Sequence, residues 1–409
     1  MLTDPIAALA TPPGRSAIAV VRLSGDGAFE IAAQVVPAFR PDPRLAQLAA
    51  FVGSDGQPID RGIYIAFPAP HSYTGEDTVE FSCHGGLLAP LRLLEALYAA
   101  GARAAQPGEF TRRAVLNGRL DLLQAEAVGD LIDATAPSQA HRALAQLDGN
   151  LSTRIAELRS ALVELQALLG YEIDFPGEDD GPVAPERISA ARDDVAVRID
   201  RLLSTAPAGE RLREGALVVL AGRPNAGKSS LFNALLGSER ALVTEIAGTT
   251  RDAIEAHTSF LGWPVRLVDT AGLRETDDRI ERMGVETSRR WLESADLVLY
   301  CVDGDGAAAD PEPLPGRTVT LRTKSDLVSV HASAGLPVSA VTGEGLGEVR
   351  RAVAERLFGA RIALADLEPA LSRARHREAL ARAQSELEDA RPHFGRDGDA
   401  VLAAHHVRL

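Results

Sequence analysis

Three stretches near the start of the chain have the apolar patterning of β-strands, at residues 17–23, 62–67 and 77–83. They are rich in β-branched and aromatic residues and are bounded by turn-forming residues. Residues 87–97 instead have helical spacing, with a proline in the early turns, where proline is tolerated. Residues 1–117 are therefore predicted to form an α/β domain.

The pattern becomes helical from about residue 118. Apolar residues recur at intervals of three and four along two seams, from Leu151 to Leu169 and from Ile188 to Leu202. This spacing places them on one face of each helix, as in a helical bundle. Helical spacing returns at residues 372–390. We expect one bundle in two parts, residues 118–210 and 363–409, with another domain inserted between them.

The inserted domain, residues 211–362, alternates strands and helices as in a doubly wound parallel sheet. Its apolar run Leu217–Ala221 leads into the sequence G-x-x-x-x-G-K-S at Gly222–Ser229, and a helix follows. This is the context of a P-loop, in which backbone amides and a helix N-terminus face phosphate oxygens. Lys228 is predicted to reach the β- and γ-phosphates and Ser229 to bind Mg²⁺. The chain is predicted to bind a nucleoside triphosphate.

Two further motifs occur in the order that a GTPase needs. Thr250, in the motif at residues 248–252, is placed to bind Mg²⁺ when a γ-phosphate is present. The strand at residues 265–269 ends in Asp269, which would contact the metal's water shell, and Gly272 would contact the γ-phosphate.

The motif at residues 321–326 indicates that the base is guanine. Asp326 can accept both N–H donors of a guanine edge, which adenine cannot supply, and Ser339 and Ala340 would cover the base oxygen. Thr323 stands where GTPases usually have an asparagine that links this loop to the P-loop. We therefore expect lower nucleotide affinity, with specificity preserved by Asp326.

The catalytic residue of Ras-type enzymes is also replaced. Those enzymes orient water with a glutamine just after the switch glycine, and here that position is Leu273. An apolar side chain neither positions water nor supplies charge. Another group must therefore stabilise the transition state.

Composition limits the class of protein and its surroundings. The 409 residues are 45% hydrophobic and 24% charged, typical of a soluble globular protein of two or three domains. No apolar run is long enough for a membrane span and no signal peptide is evident, so we expect a cytoplasmic protein. Two cysteines far apart suggest neither a disulfide framework nor a zinc site. The net charge of −14 makes the chain a poor sole clamp for nucleic acid.

The motifs together resemble the family of tRNA-uridine modification GTPases called MnmE or TrmE. The resemblance covers essentially the whole chain and is specific because it involves three domains. It is carried by residues 11–15, 75–77, 107–110, 174–176, 222–252 and 269–275.

The resemblance implies a potassium-activated GTPase whose G domains dimerise across their switch regions. The implied K⁺ ligands are Asn225, Thr244, Ile246 and Thr249, and Glu281 would orient the attacking water indirectly. With Lys228 and Thr250, Glu281 completes the predicted catalytic set. The predicted GTP contacts are Asn225, Ala226, Gly227, Lys228, Ser229, Ser230, Thr244, Glu245, Ile246, Ala247, Gly248, Thr249, Thr250, Asp269, Thr270, Ala271, Gly272, Thr323, Lys324, Asp326, Ser339 and Ala340.

The resemblance also implies a role for residues 1–117, which would dimerise and hold a reduced folate, methylene- or formyl-tetrahydrofolate. Arg22, Glu80 and Arg119 match the folate-contacting positions, Arg119 where lysine is common. The family acts with a flavoprotein, MnmG, in a heterotetramer that modifies the wobble uridine of tRNA with a carboxymethylaminomethyl or aminomethyl group. A partner that grips the tRNA would fit the acidity of this chain.

Family members end in a Cys-x-Gly-Lys tail, whereas this sequence ends at Leu409. We therefore expect GTP hydrolysis with impaired tRNA modification. Two alternatives stay open: a regulatory GTPase of the ribosome-assembly type, resembling Era or EngA, and a non-modifying scaffold. The first would need a basic domain after the G domain and no folate-like domain.

Overall fold

The protein is described by a computed structural model, and the chain divides into two compact units, Met1–Glu126 and Ala127–Leu409. The predicted domain limits at residues 117, 210 and 362 stay predictions. The structure describes residues 3–175, 183–237, 242–243, 254–269, 290–303, 316–327, 335–359, 370–394 and 399–408.

The first unit is a six-stranded sheet with helices packed against it. Its strands are β1 Ile6–Leu9, β2 Ile18–Ser24, β3 Gln47–Val52, β4 Pro58–Phe67, β5 Thr78–His84 and β6 Arg103–Ala104. Its helices are α1 Ala28–Val35, α2 Ala89–Ala99 and α3 Glu109–Leu116. The strand order is β3-β4-β5-β2-β1-β6, antiparallel except for the β1–β6 pair.

Alternation of apolar residues explains the core of this sheet. Val21 and Leu23 of β2 are fully buried, and they share one cluster with Phe81 of β5 and Leu93 of α2. Burying such a side chain stabilises the fold by roughly 1.5–3 kcal/mol. The three predicted strands are confirmed, although β4 begins at Pro58, earlier than predicted. The pattern does not predict the short β1 or the edge strand β3.

The second unit combines helices with a second sheet. Its helices begin with α4 Leu122–Ile132, which spans the limit between the units, and continue with α5 Pro137–Leu147, α6 Asn150–Asp174, α7 Pro185–Glu214, α8 Lys228–Leu236, α9 Leu346–Phe358, α10 Ala374–Ala390 and α11 Ala400–Arg408. Its strands are β7 Ala216–Gly222, β8 Leu242–Val243, β9 Ile254–Phe260, β10 Trp263–Asp269, β11 Leu297–Asp303, β12 Thr318–Thr323 and β13 Leu336–Pro337.

Both predicted seams contribute buried residues to the bundle formed by α6 and α7. Leu151, Leu158 and Leu165 of α6 are buried, as are Val195 and Ile199 of α7. Helix α7 continues past residue 210 and leads through a glycine directly into β7. The bundle is therefore connected to the nucleotide domain by a helix without an intervening loop.

The second sheet has the order β13-β12-β11-β7-β10-β9-β8. Strand β7 is central, parallel to both β10 and β11, and almost completely buried. Strand β9 is antiparallel to β10, so the sheet is mixed rather than wholly parallel. The carboxyl ends of β7, β10, β11 and β12 meet at one edge, where ligands bind in open α/β sheets.

Candidate nucleotide-binding site

The glycine-rich loop lies between β7 and α8, as the sequence predicts. Gly222 has φ +137°, and a Cβ at this position would lie 2.3 Å from the backbone oxygen of Cys301 on β11. Only glycine allows the loop and the neighbouring strand to approach this closely. Gly227 has φ +79° and precedes the first turn of α8. The loop therefore has the backbone that exposes amide groups at a helix N-terminus.

Lys228 spans this loop. Its side chain is buried, and Nζ donates hydrogen bonds to the backbone oxygens of Gly222 at 3.1 Å and Arg223 at 2.9 Å. These contacts hold the ammonium group over the loop, where it can attract phosphate oxygens. Ser229 and Ser230 follow on the exposed face of the first turn, and Asn225 is exposed with φ +62°.

The P-loop is linked to the predicted guanine motif by Thr323. Its buried Oγ1 lies 2.8 Å from the backbone oxygen of Ala226 and 3.1 Å from that of Val302, and its single proton is donated to one of them. The asparagine that usually links this loop to the P-loop is absent, and the hydroxyl of Thr323 makes the link instead. The expectation of lower nucleotide affinity stays a prediction.

The rest of the guanine motif lies at the ends of neighbouring strands. Nζ of Lys324, at φ +57°, forms a 2.6 Å ion pair with Asp303 at the end of β11. Asp326 is exposed, so its carboxylate is accessible to a base. Ser339 is fully buried, its Oγ accepts hydrogen bonds from the amides of residues 341 and 342, and Ala340 follows it at partial exposure.

Asp269 ends β10 at the same edge of the sheet and is buried. The structure thus brings together the P-loop, Asp269 and the guanine motif. The other predicted contacts lie outside the described residues: Thr244, Glu245, Ile246, Ala247, Gly248, Thr249, Thr250, Thr270, Ala271, Gly272 and Glu281.

The predicted folate positions lie in the first unit. Arg22 of β2 and Glu80 of β5 face each other in the antiparallel register, with Nη2–Oε1 at 2.7 Å and Nε–Oε1 at 2.9 Å. The Arg22 guanidinium also lies over the Tyr73 ring at 4.9 Å and the Phe110 ring at 5.5 Å. Arg119 is exposed, and its Cγ lies 3.2 Å from where a Cβ on Gly75 would be.

Sequence reasoning missed the two aromatic rings around Arg22. Tyr73 lies on the loop before β5 and Phe110 in the first turn of α3, and the Tyr73 hydroxyl is 2.8 Å from the Thr111 hydroxyl. Phe110 falls within residues 107–110, one of the motifs that carry the family resemblance, and this position was the signal in the sequence that could have pointed to it. The rings place flat apolar surface beside a paired cation and carboxylate.

Two classes of feature are absent from the described part of the chain. No group of three or more His, Cys, Asp or Glu side chains there could hold a metal ion. Within the same ranges, no helix has both the length and the apolar character needed to cross a membrane.

A buried central strand, a glycine-rich loop and helix, and a guanine motif linked to that loop define a P-loop domain of the GTPase class. Comparison with family models extends the assignment to the rest of the chain. The model described as GTP-binding protein TrmE N-terminus matches residues 5–119, and that of the MnmE helical domain matches residues 122–409.

Comparison with curated relatives supports the same family assignment. The chain is 47% identical to a tRNA modification GTPase MnmE of Thermus thermophilus, over 95% of this chain and 89% of the relative. It is 43% identical to the protein of the same name from Phenylobacterium zucineum, over 100% and 94%. The chain belongs to the MnmE family.

Among solved structures, the G domain of the T. maritima FeoB iron transporter is 27% identical, covering 34% of this chain and 98% of that one. With a TM-score of 0.27, this likeness adds nothing to the assignment.

Proposed function

We propose that this protein is a K⁺-activated GTPase that acts in the modification of the wobble uridine of tRNA. The observation that carries the GTPase part is the contact of Thr323 with Ala226, which joins the guanine motif to the phosphate loop. The tRNA part rests on family membership, since the curated relatives are named tRNA modification GTPases.

The residues present fit Mg²⁺·GTP. Mg²⁺ prefers oxygen ligands, and Ser229 offers an exposed hydroxyl while Asp269 offers a buried carboxylate at the same edge of the sheet. Bound Mg²⁺ would neutralise charge on the phosphates. Lys228 and the amides before α8 would hold the β- and γ-phosphates, and Asp326 would select guanine.

Potassium activation is supported by the replacement of the Ras-type glutamine with Leu273 and by the exposed Asn225 in the P-loop. A monovalent cation beside the phosphates supplies the charge that an arginine finger supplies elsewhere. Asn225 would hold it together with Thr244, Ile246 and Thr249, in a site completed by G-domain dimerisation. Glu281 would orient the attacking water.

The finer assignments extend to partners and to the first unit. We propose a homodimer that associates with an MnmG-like flavoprotein in the cytoplasm, with the partner gripping most of the tRNA. Reduced folate would bind at Arg22, Glu80 and Arg119. The Arg22–Glu80 pair and the rings of Tyr73 and Phe110 suit a flat heterocycle with N–H donors and a carboxylate tail.

The test is steady-state GTP hydrolysis in KCl and in NaCl at equal ionic strength. We expect strong stimulation by K⁺ that is lost in Asn225→Ala, because the amide oxygen would no longer hold the cation. Asn233→Ala, on the exposed face of α8, is the matched control and should behave like the wild type. Equal slow rates in both salts would refute K⁺ activation.

A second experiment tests the tRNA part. Nucleoside mass spectrometry of tRNA is performed on cells in which this chain is the only family member. Modified wobble uridine that disappears with Lys228→Ala would support the proposal. Unmodified uridine with the wild-type chain would refute it and would favour the non-modifying alternative.

A further inference from the structure

A cavity of about 130 Å³ lies in the second unit, where α4, α5 and the end of α7 meet. It is lined by Asp130, Asp133, Gln139, Arg142, Arg213 and Glu214, none of which belongs to the nucleotide loops. Its volume is that of several water molecules. All six lining residues have charged or amide side chains, so polar groups are available to an occupant.

Arg142 is the unusual member of this lining. Its side chain is only 7% exposed, and Nη2 makes two long contacts, 3.4 Å to Gln146 Oε1 and 3.5 Å to the backbone oxygen of Ala370. Among the described residues, Nε has no hydrogen-bond partner and no carboxylate lies within 4 Å of the guanidinium. Burial lowers the pKa of Arg142 to about 10, so the group is still a cation at neutral pH.

The carboxylate of Asp130, which lines the cavity, is already paired with two other arginines. Asp130 Oδ1 accepts from Arg213 Nε at 3.3 Å and from Arg373 Nη2 at 2.9 Å. Asp133 and Glu214 lie on the exposed side, and Glu214 is 4.0 Å from Arg213. Asp130, a half-buried carboxylate, therefore pairs with two guanidinium groups, and among the described residues Arg142 has no ion pair. A buried cation without a compensating partner is costly unless something neutralises it.

We propose that this cavity binds a small tetrahedral oxyanion of the phosphate class. Guanidinium groups bind such anions through paired, charge-assisted hydrogen bonds. Gln139 fixes the wall, since its Oε1 accepts from the amides of Thr135 and Ala136 and its Nε2 donates to the Arg213 backbone oxygen. The occupant would also hold the end of α7, which leads into the strand of the P-loop. This site does not depend on the proposed function.

The experiment is calorimetric titration of the full-length protein with inorganic phosphate, in saturating Mg²⁺ and GDP so that the P-loop is filled. We expect Arg142→Gln to weaken phosphate binding roughly tenfold or more, because a hydrogen bond between charged groups is lost. Arg159→Gln, on the exposed face of α6, is the matched control and should bind like the wild type. Lys228→Ala should also retain binding, which separates this site from the P-loop.

A second variant, at an exposed residue that lines the cavity, tests the proposal even if Arg142→Gln folds poorly. Glu214→Gln removes an exposed negative charge beside the cavity, so phosphate should bind about two- to fivefold more tightly. Equal affinity in the wild type, Arg142→Gln and Glu214→Gln would overturn the proposal. Loss of binding in Lys228→Ala alone would also overturn it, since the phosphate would then occupy the P-loop.

Discussion

At the scale of single residues, the nucleotide site depends on one hydroxyl that joins two loops distant in sequence. Thr323 closes β12 and its Oγ1 lies 2.8 Å from the backbone oxygen of Ala226. Threonine has a shorter side chain than asparagine, and its hydroxyl still reaches the P-loop backbone. The link between the two loops is therefore kept despite the departure from the usual motif.

Replacing Thr323 with valine tests this link. The shape is preserved but the hydroxyl is lost, and leaving buried acceptors unpaired costs about 1–3 kcal/mol. We expect the Kd for GDP to rise by roughly five- to tenfold, a change of about 1–1.4 kcal/mol. Titration of a fluorescent GDP analogue measures this, and Thr323→Ser should stay close to the wild type. Equal affinity in Thr323→Val would show that the hydroxyl does not support nucleotide binding.

Gly222 is the second critical single position. Alanine at this residue would place a Cβ 2.3 Å from the Cys301 oxygen at φ +137°, a conformation that L-residues rarely adopt. We expect Gly222→Ala to lower the free energy of unfolding by about 2–4 kcal/mol. Urea unfolding followed by tryptophan fluorescence suits this test, because both tryptophans, Trp263 and Trp291, lie in the second unit.

Gly347 provides the control for that substitution. It lies on the exposed face of α9, and nothing is within 4 Å of an added Cβ. Gly347→Ala should be neutral or stabilising by up to about 1 kcal/mol, because alanine favours helix. If both alanines lowered stability alike, the close approach of Cys301 would not explain the effect at Gly222.

At the scale of elements, strands are largely predictable from sequence, whereas the buried charges between them are not. Val21 and Leu23 alternate with polar residues, and the burial of β2 follows from that local pattern. Arg113 of α3 is 1% exposed because Glu76, Glu109 and Asp4 surround it, at 3.1, 3.2 and 3.1 Å. Glu109 lies one turn away on the same helix, but Glu76 and Asp4 are contributed by distant parts of the chain, so one-dimensional patterning cannot reveal the whole cluster.

The same reasoning explains which parts of the candidate site were predictable. The P-loop is a local motif whose backbone geometry depends on its own glycines. The rings beside Arg22 depend on tertiary contact, as does the contact between Thr323 and Ala226. Local chemistry is readable from sequence, and contacts across the fold require the structure.

The buried charge network predicts acid sensitivity of the first unit. Hydrogen bonding from Arg103, assisted by Arg113, lowers the pKa of Glu109 to about 2 from 4.5, against the opposing effect of burial. A depressed pKa in the folded state stabilises the fold above the unfolded pKa, and this contribution is lost as the pH falls. We expect stability to decline between pH 4.5 and about 2.

Glu109→Gln should remove part of that decline and should cost about 1–3 kcal/mol at neutral pH, because Arg103 and Arg113 lose a charged partner. Thermal unfolding followed by circular dichroism across this pH range is the measurement. Glu95→Gln, on the exposed face of α2, controls for the loss of one carboxylate. A pH profile of Glu109→Gln parallel to the wild type would contradict the assignment.

At the scale of the whole molecule, charge limits how the protein meets RNA. The chain has 57 acidic residues and 43 lysines and arginines. Several arginines of the helical part are already paired, as with Arg377 and Glu210 at 2.6 Å, and Arg198 and Asp194 at 2.8 Å. This pairing reduces the number of cations that can release counterions from a phosphate backbone, which is the main source of RNA affinity.

The chain alone should therefore bind tRNA weakly and with little salt dependence. Each neutralised phosphate adds about 0.7–0.9 to the slope of log K against log salt, so two or fewer contacts predict a slope of at most about 2. The slope is measured by fluorescence anisotropy of labelled tRNA at KCl concentrations from about 50 to about 200 mM. Adding the proposed flavoprotein partner should increase both the affinity and the slope. A steep slope for the chain alone, corresponding to roughly six or more contacts, would mean that this protein grips the tRNA itself.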